Sequence, residues 1–187
     1  MKYLMIALIG AISNRVRGGG HGFLRDRLDE DSWLHKILDG KILNALAFGI
    51  TFGMLQASWH FGLLAAVMMI VGQSLPWGEY IIAIGGWRNR EWADVPQIDR
   101  VIARFRDDQL KWGLAGLTLR GGIWGLMFVG LFQSFIPLIG GLLMGVSYWA
   151  AFRSVQKFTD NQDYAWTAGE LFFGAVLWSS CYLSLVI

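Results

Sequence analysis

Residues 42–75 read ILNALAFGITFGMLQASWHFGLLAAVMMIVGQSL, 34 residues without one Asp, Glu, Lys or Arg. A helix needs about 20 apolar residues to cross a bilayer, so this run is nearly long enough for two crossings. A polar break, Ala57-Ser58-Trp59-His60-Phe61-Gly62, divides it into arms of 14–17 residues. The run predicts a helical hairpin. Gly49 and Gly53 form a small-xxx-small face suited to close helix packing.

The same pattern recurs downstream. Residues 113–152 predict a second hairpin that breaks near Gln133-Ser134-Phe135-Ile136-Pro137. Gly121/Gly125 and Gly141/Gly145 repeat the small-xxx-small spacing. Residues 165–187, AWTAGELFFGAVLWSSCYLSLVI, are long enough to cross alone. Upstream, residues 3–13, YLMIALIGAIS, form an apolar run of eleven. That length suits a signal h-region or a re-entrant helix, and Ala11-Ile12-Ser13 resembles a cleavage site. Arg15 and Arg17 follow at once and oppose translocation, which favours retention. Residues 80–87, YIIAIGGW, are too short to cross.

Composition agrees. Hydrophobic residues make up 55% and charged residues 16%, against roughly 25% charged in soluble domains. Ten Trp, twelve Phe and five Tyr suit interfacial anchoring. The fold expected is an all-α, polytopic integral membrane bundle. It has five or six transmembrane helices with short re-entrant or interfacial helices. Residues 1–187 form a single membrane domain. Residues 3–75 and 80–152 follow one pattern of apolar run, Arg-x-Arg, wet segment and hairpin, which suggests a pseudo-repeat before the last span.

The wet segments 14–41, 88–112 and 153–164 hold 14 of the 16 Lys and Arg, and the hairpin tips hold none. Basic loops face the cytoplasm, so the charged segments are expected inside and the C-terminus outside, in a bacterial cytoplasmic membrane. Within 88–112, Ile98, Val101, Ile102 and Phe105 fall at helical spacing, with Pro96 in the first turn. They predict an amphipathic surface helix. Ser32 is a cap candidate for a short helix ending at Gly40.

A few groups could carry chemistry. Arg120 in LTLRGGIW and Glu170 in TAGELFFG are charges inside apolar spans. Each costs about 2.5–3.5 kcal/mol at a helix centre, so an ion pair or a ligand site is expected, with snorkelling the plainer alternative. Glu79 stands at the same boundary after Pro76-Trp77-Gly78. Arg15, Arg17, Gly18, Gly19, Gly20 and His21 combine guanidinium forks with a glycine run. That composition suits an anion nest, or a turn with topogenic arginines. The Gly-Lys-Ser/Thr ending of a phosphate loop is missing.

His21 and His35 lack the partners of a zinc site, so no metal and no cofactor is expected. Asp39-Gly40 lacks the Ala-Arg continuation of CDP-alcohol phosphotransferases, and soluble catalytic signatures are missing. The reading leans away from an enzyme. A net charge of +2, with basic and acidic residues interleaved, speaks against nucleic acid. Three functional classes stay open. The first is a binding or transport protein for an anionic or phosphate-bearing ligand at the cytoplasmic boundary. The second is an accessory or pore-forming protein, such as a phage lysis or exclusion factor. The third is a lipid-modifying enzyme. Expected partners are membrane lipids, such a small anion, and further copies of the chain through the glycine faces.

Overall fold

A computed structural model describes residues 1–18, 40–74, 109–159 and 161–187. All regular structure among them is helical. Six helices follow in order: α1 (Lys2–Gly18), α2 (Gly40–Leu55), α3 (Trp59–Ser74), α4 (Gln109–Phe132), α5 (Ile136–Gln156) and α6 (Gln162–Val186). Two stretches are long and apolar enough to cross a membrane, Ile136–Gln156 and Tyr164–Val186. The apolar parts of three others, Ile42–Leu55, Trp59–Gln73 and Leu117–Phe132, are shorter.

The apolar run 3–13 is only the first part of α1. Residues 14–17 change polarity without breaking the helix, since Arg is a good helix former, and α1 runs on to Gly18. The apolar stretch 80–87, the amphipathic pattern 96–108 and the cap at Ser32 lie outside the described residues.

Both hairpins turn on a non-glycine residue in the left-handed region, Ala57 at φ 49° and Gln133 at φ 50°. At the first turn the Ala57 N–H donates to the Met54 carbonyl (3.2 Å) and the Ser58 N–H to the Gly53 carbonyl (2.9 Å). This is the Schellman pattern, whose left-handed position is usually glycine. Ser58 Oγ then accepts from the Phe61 N–H (3.2 Å) and caps α3. At the second turn Ser134 Oγ accepts from the Ile136 N–H (3.2 Å), and Pro137 occupies the first turn of α5.

Counted from these turn residues, the two hairpins match. Aromatic rings lie nine and five positions earlier (Phe48 and Phe52; Trp124 and Phe128), and a glycine eight earlier (Gly49; Gly125).

The helices close a ring in the order α3, α2, α1, α6, α5, α4 and back to α3. Neighbours run antiparallel. Tyr3 meets Tyr182 at 6.5 Å while Arg15 lies against Trp166 at 5.0 Å. The glycine faces draw helices of the same chain together. A Cβ on Gly49 would lie 2.6 Å from the Gly62 carbonyl oxygen, and one on Gly121 would lie 1.8 Å from that of Gly141. Only glycine allows such backbone approach.

Aromatic rings fill the centre, at spacings where aromatic pairs attract. Phe61 meets Phe132 at 5.4 Å, Phe132 meets Phe52 at 5.2 Å, and Phe52 meets Phe48 at 4.5 Å. Phe48 contacts Trp178 edge-on at 5.1 Å and Phe128 at the same distance. Beyond them stand Trp124 and Phe173, 6.4 Å apart. This column begins at the end carrying both hairpin turns, here called the tip end. The helix ends leading to residues 19–39, 75–108 and 157–161 lie at the opposite, loop end.

Candidate functional site: a buried polar layer

At the loop end the aromatic column gives way to polar side chains, one from each helix. Asn14, Asn44, Gln73, Arg120, Tyr148 and Glu170 are all buried. Asn44 and Arg120 each stand 13 residues before the turn residue of their hairpin, and Gln73 and Tyr148 stand 16 and 15 residues after theirs. At 1.5 Å per residue, these four lie in a layer about 20–24 Å from the tips.

Among the described residues Glu170 is the most enclosed charge, at 2% exposure. The Asn14 amide nitrogen donates to its backbone carbonyl at 2.8 Å and also to its carboxylate oxygen Oε2. Hydrogen bonds to a carboxylate partly replace the water lost on burial. Close approach of α1 and α6 sets up this contact: a Cβ on Gly174 would meet the Gly10 carbonyl oxygen at 2.2 Å and the Asn14 side chain at 2.5 Å.

Arg120, 7% exposed, places its guanidinium carbon 5.5 Å from the centre of the Phe173 ring, one turn along α6 from Glu170. The ring face offsets part of the desolvation of the cation. Tyr148 reaches the same ring edge-on at 6.1 Å and packs on Gly169, where a Cβ would lie 2.9 Å from its ring. Phe173 is thus a platform shared by Arg120 and Tyr148 beside Glu170.

On the other side, the Gln73 amide donates to the Met69 carbonyl at 3.1 Å. Its neighbour Gly72 approaches Trp124, with 3.3 Å left for a Cβ. Asn44 is 2% exposed, and its Oδ1 has no hydrogen-bond partner. An unsatisfied buried acceptor costs about 1–3 kcal/mol. Between them the six side chains offer a planar cationic fork, a carboxylate, a hydroxyl and three amides. That set can hold an oxyanion or small polar molecule.

Of the residues singled out in the sequence, Arg120 packs on the ring of Phe173, which lies one turn along α6 from Glu170. Arg15 and Gly18 belong to the last turn of α1, so this part of the glycine-rich stretch is helical. Arg15 stacks on Trp166 near the helix C-terminus, where the macrodipole favours a cation. Arg17 lies on the same turn. Gly19, Gly20, His21 and Glu79 lie outside the described residues. Among the described residues no group of three His, Cys, Asp or Glu side chains could hold a metal.

Sequence reasoning passed over Asn14, Asn44, Gln73 and Tyr148, because single neutral polar residues barely alter the hydropathy of an apolar run. One signal could have found Asn44: it shares with Arg120 the 13-residue distance to the turn. Comparison of the chain with protein-family models, with curated proteins and with solved structures returns no match.

Proposed function

We propose that this chain is a multi-pass protein of the bacterial cytoplasmic membrane, with its basic segments in the cytoplasm. The buried polar layer is its site for a small anionic or phosphate-bearing solute, reached from the loop end, for binding or transport. The single observation that carries the reading is the burial, towards the loop end, of a polar side chain from every described helix. Bundles that only pack do not need an arginine and a glutamate buried in one layer, given the cost of each. The outward residues support the membrane setting: Leu8, Ile50, Leu63, Val67, Leu126 and Leu143 are exposed and apolar. On this reading all six helices cross. α2 and α3, about 24 Å each, are accommodated by local bilayer thinning. The matched hairpins support residues 3–75 and 80–152 as related units.

The test is thermal unfolding of the purified protein in detergent with rising inorganic phosphate and, separately, a dicarboxylate. Specific stabilisation that saturates, and that Arg120→Gln abolishes while the variant stays folded, is the expected result. Equal response of wild type and variant removes the site. The filled aromatic column favours a second reading, an accessory membrane protein whose polar layer only fixes helix order. That reading predicts no saturable ligand effect at all.

A further inference from the structure

The ring of helices has two kinds of joint. In the first kind glycine brings one helix so close to the next that no side chain fits between. A Cβ on Gly53 would lie 2.9 Å from the Gly62 Cα in the α2–α3 joint, and one on Gly145 would lie 2.2 Å from the Leu117 carbonyl oxygen in the α4–α5 joint. In the α5–α6 joint a Cβ on Gly140 would lie 2.2 Å from the Ser180 side chain, and the α1–α6 joint closes on Gly174 and the Gly10 carbonyl oxygen. The α3–α4 and α1–α2 joints are of the second kind. Among the described glycines only Gly72 faces either of them, and its Cβ would keep 3.3 Å from the Trp124 ring. The bundle thus divides into a glycine-locked block, α1, α6, α5 and α4, and a glycine-locked hairpin, α2–α3. The two meet through rings: Phe48, Phe52 and Phe61 face Phe128, Phe132 and Trp178, with centres 5.1–6.5 Å apart.

We infer that the α2–α3 hairpin moves as a unit against the block, parting this aromatic seam at the tip end and opening the polar layer to the tip side. The inference rests on the transport reading above and names its moving part. Its first support is the kind of contact. In lipid no hydrophobic force presses helices together, and close backbone packing at small residues holds them. The seam lacks that packing. Its second support is tethering. The chain enters the hairpin at Gly40 and leaves it at Ser74, both at the loop end. The tip, at Ala57, has no covalent link to the block, so a swing about the loop end displaces the tip most. Its third support is the polar layer. The polar contacts described above run within one unit or the other: Asn14 bonds Glu170, and Arg120 and Tyr148 pack on Phe173, all in the block. Gln73 donates to Met69 of its own helix. These contacts persist while the rings part. Closure of one rigid unit on another is a common route to a gated site.

The test is double electron–electron resonance on spin-labelled cysteine pairs, in a Cys181→Ser background, with the full chain in phospholipid nanodiscs. Trp59→Cys with Phe135→Cys reads across the seam, and Tyr3→Cys with Phe135→Cys reads within the block. All three positions are exposed at the tip end, and each pair stands two helices apart in the ring. The seam pair should show a distance distribution that saturating inorganic phosphate shifts by several ångströms. The block pair should show one distance that phosphate leaves in place. A single unchanged distance for both pairs overturns the inference, and so does an equal shift in both, because the motion then does not lie at the seam. Thermal unfolding with phosphate separates this failure from that of the parent reading. A protein that phosphate stabilises while the seam distance stays fixed refutes the moving hairpin alone. Two seam distances in a protein that phosphate neither shifts nor stabilises refute the phosphate site and uphold the moving hairpin.

Discussion

Ala57 and Gln133 hold a backbone conformation that L-residues avoid, at roughly 1–2 kcal/mol each. The cost is tolerated because the turn must reverse the chain within three residues while both helices stay in contact through glycine. Ala57→Gly should therefore raise stability by about 1 kcal/mol, read as a higher unfolding midpoint in detergent. A lower midpoint would mean that the Ala57 methyl group contributes packing that outweighs its strain. At this scale the sequence was half legible. Arg120 and Glu170 stand out because charge in an apolar run is rare and expensive. Asn14 and Asn44 do not, because an amide is cheap enough to be scattered anywhere. Nothing in the one-dimensional string shows that Asn14 faces Glu170 across 156 positions.

Helices and turns were more legible than single side chains. Both hairpins and the last span could be read from apolar runs broken by Ser with Gln or His. Element ends were harder to read. α1 passes through its polar residues, and α4 begins at Gln109, inside the charged run, because helix propensity does not follow hydropathy. The joint between α4 and α6 gives the sharpest test at this scale. Arg120 packs on the Phe173 ring one turn along α6 from the buried Glu170, so removing one charge should leave the other buried with less compensation. In a double-mutant cycle Arg120→Leu and Glu170→Leu should each destabilise by about 3 kcal/mol, and the double variant by clearly less than the sum. Strict additivity in thermal unfolding would show that the two charges do not sense each other.

Among the described residues both turns lie at one end, and the helix ends that lead to residues 19–39, 75–108 and 157–161 lie at the other. The alternation of wet and apolar segments already implied this arrangement, but not the closed ring or its aromatic filling, which depend on contacts between distant helices. If the basic loops are cytoplasmic, a cysteine at Ser58 or Ser134 in a Cys181→Ser background should react with an impermeant maleimide on intact cells. One at Arg100 should react only after lysis. Labelling at Arg100 alone would invert the molecule. The polar layer also imposes an order in time. If the helices cross a membrane, a nascent chain that has released α4 but not yet α6 would hold Arg120 in lipid without the Phe173 ring beside it. Such a half-made bundle presents a misplaced charge, a degradation mark that is erased only when the last helix docks. A chain halted before Gln162 should then be cleared several-fold faster than the full chain in a pulse-chase. With Arg120→Leu in the halted chain, that difference should shrink. The layer proposed as a site in the finished protein would act during synthesis as the signal that assembly is complete.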